Sequence, residues 1–418
     1  MKNVTTEIKD ACTFCGSCVA VCPFKSLKPR HEKIILDGKC TSCGLCMAVC
    51  PAKKFCYGAI DKKLFTTYVT HHRPELGNYL EIGVAYASDN NIRNNSSSGG
   101  VVSSLLIFLL RTKIVDGVVC IRMNPDKPWQ PQPFIAKTPE EVLAAQGSKY
   151  CLVPTNMILR TLNEAKNKNK RFAFVGLPCQ VQGLRKMQQQ GLCKNVSLVI
   201  GLFCGWNMSY KGTEYILDKF SIDKKNVTQL KYRAGKWPGG FFVGTNGYDK
   251  TDIAHNSKGI TLEKSAYDFP NMMFIPKRCM VCSDYMSEYA DISVGDCWIN
   301  GYKSSSSVLF RTALGEDIYK RAVDSGVICH APINANALIK SHLHNIKFKR
   351  SAHISGRFEY GRGAIEYNLN NYNFNASASK SLVFYFILKM IRTDLFRTLA
   401  PFWMLRRIAK LRRAIKGK

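Results

Sequence analysis

The feature that most constrains this chain is a pair of identical cysteine runs near its amino end. Each run has the spacing C-x2-C-x2-C-x3-C-P, and the second begins 28 residues after the first. A tightly turned loop of this spacing points three thiolates at one 4Fe-4S cube, while the fourth cysteine of each run ligates the other cube. The predicted ligand sets are therefore Cys12, Cys15, Cys18 and Cys50 for one cluster, and Cys40, Cys43, Cys46 and Cys22 for the other.

Zinc is the alternative for so many cysteines. Zinc sites usually pair two short C-x2–4-C motifs across a longer spacer and use four ligands in total. Two tetrads with prolines after them do not fit that pattern. Residues 5–60 resemble a bacterial-type dicluster ferredoxin, which implies an α+β ferredoxin domain over residues 1–60. Cys56 lies outside the pattern and is not predicted to be a ligand.

Composition limits the partners and the compartment. The 418 residues suggest two or three domains. Lys and Arg number 60 against 30 Asp and Glu, but this formal charge of +30 omits the thiolates that bind iron. We therefore do not expect nucleic acid as a partner, since only the charge would favour it. Eighteen cysteines without an apolar signal segment or an apolar run of 18 residues favour a reducing cytoplasm.

Two close clusters conduct electrons without selecting a substrate, so the rest of the chain should hold their redox partner. Over residues 80–350, strand-like and helical segments alternate, which predicts an α/β domain with a mostly parallel sheet. Cys179 and Cys204 each follow the end of a predicted strand and should meet at one sheet edge. Together with Cys279 and Cys282 they suit a third 4Fe-4S cluster, although a zinc site or unrelated buried thiols would give the same pattern.

Other short motifs are compatible with an anionic cofactor. Ser97, Ser98, Gly99 and Gly100 precede an apolar helical stretch, where free backbone N–H groups could bind phosphate or a serine could simply cap the helix. Cations and an aromatic residue follow at residues 231–240, and they could hold an anion or form solvated surface. A short strand ends in Gly295-Asp296, which would place a carboxylate at a ligand or form an ordinary hairpin turn.

In order, these motifs resemble those of the family of coenzyme F-420 hydrogenase/dehydrogenase beta subunits over residues 80–350. The matching pieces are Ser97–Gly100, Gly147–Tyr150, Gly176–Gln180, Phe203–Cys204, Cys279–Asp284 and Ala290–Asp296. The resemblance implies a flavoprotein with FAD and an adjacent 4Fe-4S cluster. Such proteins exchange electrons between a deazaflavin, or another organic substrate, and iron-sulfur carriers.

The resemblance also implies roles for individual residues. The third cluster would lie on Cys179, Cys204, Cys279 and Cys282, between the flavin and the ferredoxin domain. Cys297 is an alternative ligand, because the family commonly has a small residue before Trp298. The segment Ser97, Ser98, Gly99 and Gly100 would contact the FAD pyrophosphate, with Lys149, Tyr150, Gly295 and Asp296 near the cofactor.

The expected function is therefore that of an iron-sulfur flavoprotein oxidoreductase. It would transfer electrons between a reduced carrier, either an F-420-like deazaflavin or ferredoxin, and an organic substrate of unknown identity. No catalytic residue is predicted, because hydride transfer to a flavin needs no general acid or base. The alternative is a non-catalytic electron-relay subunit whose redox partner protein performs the chemistry.

The carboxyl end differs from the rest in composition. Residues 351–379 include an Asn/Ser-rich stretch and are predicted to be a linker. Residues 380–418 contain eleven Lys or Arg and one acidic residue; residues 381–391 are strongly apolar, and the apolar positions after Pro401 follow helical spacing. This pattern predicts a basic tail of two amphipathic helices that contacts the inner face of the membrane, docks on a partner or remains solvated.

Overall fold

The computed structural model describes residues 2–52, 54–65, 71–245, 271–362, 364–367 and 378–399. The amino-terminal lobe carries both cysteine runs on short helices and one hairpin. Gly16 and Gly44 precede two of these helices with φ of 90° and 78°, a left-handed conformation that glycine adopts without strain. The lobe contains α1 Val4–Glu7, a 3-10 turn Lys9–Ala11, α2 Ser17–Val21, α3 Leu45–Ala48, α4 Tyr57–Phe65, β1 Leu27–Arg30 and β2 Lys33–Leu36.

The larger domain is built on an eight-stranded sheet with two separate hairpins. The hairpins are β3 His71–Arg73 with β4 Gly77–Tyr79, and β10 Val227–Ala234 with β11 Gly240–Thr245. The sheet strands are β5 Glu81–Ala87, β6 Gly117–Met123, β7 Pro131–Ala136, β8 Phe172–Gly176, β9 Val196–Leu202, β12 Ile292–Asp296, β13 Ser306–Phe310 and β14 Ile328–Pro332. Their order in space is β14-β5-β13-β12-β9-β8-β6-β7.

The sheet is mixed, so the prediction of a mostly parallel sheet is only partly confirmed. The central strands β6, β8, β9 and β12 pair in parallel, whereas all pairings outside this group are antiparallel. Short connections explain two of the antiparallel pairings. Both β6–β7 and β12–β13 are joined by fewer than ten residues, which is too few for a parallel crossover.

Helices cover both faces of the sheet. These are α5 Asn90–Asn94, α6 Val101–Arg111, α7 Pro139–Ala144, α8 Leu159–Leu162, α9 Pro178–Gln189, α10 Tyr210–Lys219, α11 Lys277–Met280, α12 Ala313–Asp324, α13 Ala335–Arg350, α14 Ala352–Tyr360, α15 Ala378–Ile391 and α16 Asp394–Leu399. Short 3-10 turns add Thr155–Ile158, Ala165–Asn167 and Lys224–Asn226. Successive side chains of β6 point to opposite faces of the sheet and show which helices cover each face: Val118 packs with α6, and Val119 packs with α9.

The amino-terminal lobe packs on the α9 face of the sheet. Its Phe55 and Ile60 belong to the same apolar core as Leu184 of α9. Polar contacts fix the cysteine-bearing loops more closely. Arg160 donates to the carbonyls of Ala20 and Cys22 at 3.1 and 3.0 Å, and thereby satisfies acceptors left free at the end of α2.

Two further groups of the larger domain bind loop carbonyls of the lobe. The backbone N–H of Asn156 donates to the carbonyl of Cys15 at 2.8 Å. Lys186 donates from Nζ to the carbonyls of Cys50 and Lys54, both at 2.7 Å. The lobe is therefore positioned by contacts made directly at its cysteine runs.

The carboxyl end only partly follows the sequence prediction. Helix α14 lies within the predicted linker, and residues 368–377 of that linker lie outside the described residues. Tyr385, Leu388 and Ile391 of α15 are buried in the core of the larger domain, so this part of the predicted tail is packed. Residues 400–418, including Pro401, lie outside the described part of the chain. Among the helices that the structure describes, none combines the length and apolarity needed to cross a membrane.

Substitution of Gly183 by Ala tests the close approach between the lobe and α9. A Cβ at Gly183 would overlap Oγ of Ser17 and lie 2.9 Å from the side-chain nitrogen of Asn156, so these buried side chains would have to shift. We expect Gly183→Ala to lower the free energy of unfolding by about 1–3 kcal/mol. Gly58→Ala is the matched control, because it adds a Cβ within helix α4 where no atom lies within 4 Å.

The control should not lower the free energy of unfolding, since alanine is at least as favourable as glycine in a helix. Anaerobic urea denaturation followed by fluorescence measures both variants. Equal stability of Gly183→Ala and the unmodified chain would contradict the packing described for this junction.

Candidate redox site

The first predicted cysteine set forms one group in the lobe. Burial raises the pKa of Cys18 well above its usual value, and the neighbouring Cys15, Cys50 and Cys12 raise it further. Burial likewise raises the pKa of Cys50 to about 12, with Cys15 and Cys12 adding to the effect. Buried thiols whose thiolates would repel one another lose their protons readily only when a cation binds among them. This donor set therefore fits the positive core of an iron-sulfur cluster.

The second predicted set lies nearer the molecular surface. Cys22, Cys40, Cys43 and Cys46 line one cavity, and the side chain of Cys43 is exposed. Asn3 approaches Sγ of Cys40 with its side-chain N–H at 3.8 Å, and the backbone N–H groups of Val4 and Met47 bond to Cys46. Hydrogen bonds to cluster sulfurs are one of the factors that set a reduction potential.

The third tetrad is gathered as the strand-end argument predicts. Strands β8 and β9 are parallel neighbours, and Cys179 and Cys204 follow their carboxyl ends. Cys279 lies on α11 and Cys282 in the turn after it. Burial raises the pKa of Cys179 above its usual value, and Cys15, Cys279, Cys282 and Cys204 raise it further. The four thiols are therefore close enough to interact, and Cys15 of the first set lies beside them.

Two buried cations flank the third tetrad. Lys349 on α13 is 1% exposed and Arg278 on α11 is 7% exposed. Burial opposes the charge of Lys349, but Cys282, Cys204 and Cys279 outweigh it and raise the pKa of this ammonium. Arg278 donates to the carbonyl of Ala52 at 3.1 Å and so also ties the lobe to this site. Sequence reasoning missed Lys349, because its neighbours in sequence resemble an ordinary basic helix and only the fold turns it inward.

Cys297 is placed apart from this tetrad. Its thiol is 1% exposed, bonds to Ser307 and lies beside Asp296, while its backbone N–H donates to the carbonyl of Ser305. In the described residues, no three His, Cys, Asp or Glu side chains converge tightly enough to hold a single metal ion.

The residues predicted to contact FAD all come to the carboxyl edge of the central strands. The backbone N–H of Ser148 donates to Oγ of Ser97 at 2.8 Å, so the two serine-containing motifs meet. Gly100 precedes α6 with φ of 77°, and no side chain caps this helix. Gly99 is less available, because its N–H donates to Oγ of Ser306 at 3.0 Å. Oγ of Ser98 likewise bonds to the carbonyl of Ser305 at 2.7 Å.

Lys149 has a partner set that the sequence did not indicate. Its ammonium donates to the carbonyls of Ala145, Gln146 and Gly147 at the end of α7. Such a cation stabilises the carboxyl end of a helix. Burial lowers the pKa of Lys149 to about 8.

Asp296 forms the most buried ion pair of this edge. Both of its carboxylate oxygens accept from Nη1 of Arg233, at 2.9 and 2.7 Å, and the same atom lies 3.4 Å from the Tyr150 hydroxyl. Nη2 of Arg233 and the indole N–H of Trp237 are buried without partners among the described residues. The Trp237 ring lies 4.9 Å from that of Trp298. Unsatisfied buried donors beside aromatic rings fit a planar, anionic cofactor.

A cleft of about 690 Å³ opens beside these groups. Gly147, Ser148 and Lys149 line one side of it, and Lys231 and Arg233 of β10 line another. The volume lies within the range of cofactor sites. The described lining does not include Ser97–Gly100, which contact the cleft through Ser148. Arg233 was one of the cations that the sequence left open between cofactor contact and solvated surface.

Comparison with known proteins identifies the family. Residues 82–160 match the amino-terminal model, and residues 169–336 the carboxyl-terminal model, of the coenzyme F420 hydrogenase/dehydrogenase beta subunit. The chain belongs to this family. Residues 5–51 match a 4Fe-4S dicluster domain, which confirms the two amino-terminal clusters.

Two relatives of this family member come from Methanosarcina species. The coenzyme F420 hydrogenase subunit beta of Methanosarcina barkeri is 30% identical over 62% of this chain and 84% of the relative. A component of the F420H2 dehydrogenase of Methanosarcina mazei is 27% identical over 77% of this chain and 85% of the relative.

A solved structure agrees with these relatives. A chain of the xenon-derivatised F420-reducing NiFe hydrogenase complex from Methanosarcina barkeri superimposes with a TM-score of 0.56 at 26% identity, covering 72% of this chain and 99% of that one. The relatives are subunits of larger redox enzymes, so F420-linked electron transfer is the general chemistry of the family.

Removing the charge of Asp296 tests the ion pair at the cleft. We expect Asp296→Asn to lower the free energy of unfolding by about 1–3 kcal/mol, because it leaves the buried guanidinium of Arg233 without its counter-charge. Asp37→Asn is the control, since Asp37 pairs with Lys28 at 2.7 Å on the exposed surface of the lobe.

The control should unfold at the same urea concentration as the unmodified chain, because exposed ion pairs contribute little. Tryptophan fluorescence reports the transition near Trp237 and Trp298. Equal effects of the two substitutions would contradict a buried role for Arg233.

Proposed function

We propose that this protein is an iron-sulfur flavoprotein that carries electrons between a reduced deazaflavin and iron-sulfur carriers. It would use FAD at the cleft, a third 4Fe-4S cluster on Cys179, Cys204, Cys279 and Cys282, and the two clusters of the lobe. The observation that carries the proposal is that Asn156 bridges the two cysteine sets: its backbone N–H donates to the carbonyl of Cys15, and its side-chain amide donates to the carbonyl of Gln180, next to Cys179, both at 2.8 Å. Such a series of centres needs no mobile carrier inside the chain.

The donor set of the third tetrad supports a cluster there. Four half-buried cysteines have come together, and burial is the main cause that raises the pKa of Cys204 to about 12. Lys349 and Arg278 offset part of the negative charge that four thiolates would bring. The backbone N–H of Asn207 bonds to Cys279, as expected of a cluster ligand.

The cleft residues support FAD. The uncapped amino end of α6 and the turn at Gly147 offer backbone N–H groups for a pyrophosphate. Arg233 would hold an anionic or electron-rich part of the cofactor through its unpartnered Nη2, while Asp296 fixes the guanidinium. When bound, FAD supplies the exchange between hydride transfer and single-electron steps. Both relatives are named for coenzyme F420, so a deazaflavin of the F420 type is the proposed small-molecule donor.

Cofactor content tests this proposal directly. Anaerobically prepared protein should contain about twelve irons and twelve sulfides per chain, together with one FAD. Cys279→Ser should remove about four irons and leave the EPR signals of the two lobe clusters. Cys329→Ser is the matched control, because Cys329 is a half-buried cysteine whose Sγ lies 3.4 Å from the Ser88 hydroxyl, within a sheet strand away from the tetrad.

The control should keep all irons. A plateau near eight irons in the unmodified chain would refute the third cluster. Clusters without any flavin would favour the electron-relay role instead, since no hydride acceptor would be present. Anaerobic mixing with reduced deazaflavin, followed through the flavin absorbance, then tests the donor.

We further propose that residues 400–418 contact an anionic membrane face. They contain seven Lys or Arg and no acidic residue, and the adjoining helices expose Val383, Leu395 and Leu399 by 60–69%. Cationic segments with nearby apolar side chains bind anionic lipid surfaces. In a flotation assay, the full chain should rise with vesicles that contain phosphatidylglycerol, whereas a chain that ends at residue 399 should not. Equal flotation of both would remove this role.

A further inference from the structure

The second cysteine set of the lobe, which we call the outer cluster to distinguish it from the inner cluster of the first set, lies at a solvent-exposed edge. Three residues in a row, Ser42, Cys43 and Gly44, are exposed, and a Cβ at Gly44 would meet no atom within 4 Å. The other cysteine set of the lobe is more enclosed, since Cys15 and Cys18 are each 7% exposed. Electron tunnelling falls steeply with distance, so electrons would enter or leave the lobe most readily beside Cys43.

The centres form an ordered series that ends at this edge. Asn156 joins the first and third sets, because its backbone N–H donates to the carbonyl of Cys15 and its side-chain amide to the carbonyl of Gln180, next to Cys179, both at 2.8 Å. Cys18 of the first set and Cys46 of the outer set are buried in one apolar core, and Cys22 and Cys50 pack against it. The series therefore runs from the third tetrad through the inner cluster to the outer one.

The surface around the outer cluster is apolar at its centre and basic at its rim. Phe24 is 50% exposed and Leu36 is 36% exposed, and both line the cavity of the outer cysteine set. Lys2, Lys25 and Lys39 are exposed beside them, and no described acidic side chain forms an ion pair with any of the three. We call these five residues the outer-cluster face.

Nearby acidic groups do not cancel this charge. Asp37 is paired with Lys28 at 2.7 Å, and Asp10 is paired with Lys277 at 2.9 Å. The carboxylate of Glu32 at the tip of the β1–β2 hairpin accepts from the backbone N–H of Tyr210 at 2.6 Å, within the contact to the larger domain. The lysines of the face are therefore available to an external partner.

We propose that the outer-cluster face docks a small acidic electron-carrier protein, a role that rests on the proposed electron path. An exposed apolar centre with a cationic rim is complementary to a carrier whose own redox centre is ringed by carboxylates. One electron passes between the outer cluster and the carrier at each encounter, and no bond forms or breaks. Each two-electron oxidation of a deazaflavin donor, which releases two protons, therefore reduces two one-electron carriers.

Charge reversal on the face tests this docking. The full-length protein is reduced with dithionite, freed of excess reductant and mixed in a stopped-flow instrument with an acidic bacterial flavodoxin. At low ionic strength we expect Lys2→Glu/Lys25→Glu/Lys39→Glu to slow the second-order transfer at least about tenfold. The difference should largely disappear at about 0.5 M salt, because the Debye length there is only about 4 Å.

A matched triple variant separates docking from net charge. Lys168→Glu/Lys170→Glu/Lys340→Glu changes the charge by the same amount at exposed positions of the larger domain. It should alter the flavodoxin rate less than about twofold. With basic cytochrome c as the acceptor, the face variant should accelerate transfer, because the repulsion between like charges is removed. Equal slowing by both triples, or slowing by neither, would overturn the proposal.

Further controls test whether the substitutions act only on docking. The iron content and EPR spectra of the face variant must match those of the unmodified chain. If Lys39→Glu disturbs the adjacent Cys40, the double variant Lys2→Glu/Lys25→Glu replaces the triple. Sedimentation velocity shows whether the face instead joins two copies, in which case the face variant alone would lose a dimer and the proposal fails. Dithionite reduces the lobe clusters directly, so absence of FAD or of the third cluster would refute the proposed function without affecting this assay.

Discussion

The close approach of the loop at Gly16 to helix α9 and to the turn at Pro154 is the constraint on which the rest of the arrangement depends. A Cβ at Gly16 would lie 2.6 Å from the carbonyl of Pro154, and one at Gly183 would overlap Ser17. Two glycines therefore allow backbone and helix to meet where side chains would hold them apart. Because Cys15 and Cys179 flank this junction, the same contact that joins the two parts of the chain also brings their cysteine sets together.

Buried cations offset the negative charge that iron-sulfur clusters would bring to this junction. Lys186 and Arg160 bind carbonyls of the cysteine loops, while Arg278 and Lys349 lie beside the third tetrad. Thiolates bound to iron leave a cluster with net negative charge, which low-dielectric surroundings would make costly without counter-charges. Part of the formal charge of +30 is thus explained from within the molecule. The lysines of the outer-cluster face are different, since they remain in solvent.

The sequence predicted those parts of the site that depend on local spacing. The two cluster runs follow from a repeated loop, and the meeting of Cys179 with Cys204 follows from the rule that parallel strands end at one edge. The inward position of Lys349 could not be predicted, because it depends on how α13 packs over a strand end far earlier in the chain. The mixed sheet and the packing of helix α15 into the core were missed for the same reason: both are decided by long-range burial, which leaves only a weak periodic signal.

The cleft and the third tetrad are held together by one pair of adjacent strands. The backbone N–H of Phe203 donates to the carbonyl of Val294 at 2.9 Å, and its ring fills the space where a Cβ of residue 295 would lie. Glycine at position 295 is therefore needed for packing as much as for any cofactor. Since Cys204 follows Phe203 and Asp296 follows Gly295, a proposed cluster ligand and a cleft carboxylate are fixed on neighbouring strand ends. A motif that the family resemblance ties to cofactor binding thus also sets the spacing between the cleft and the third tetrad.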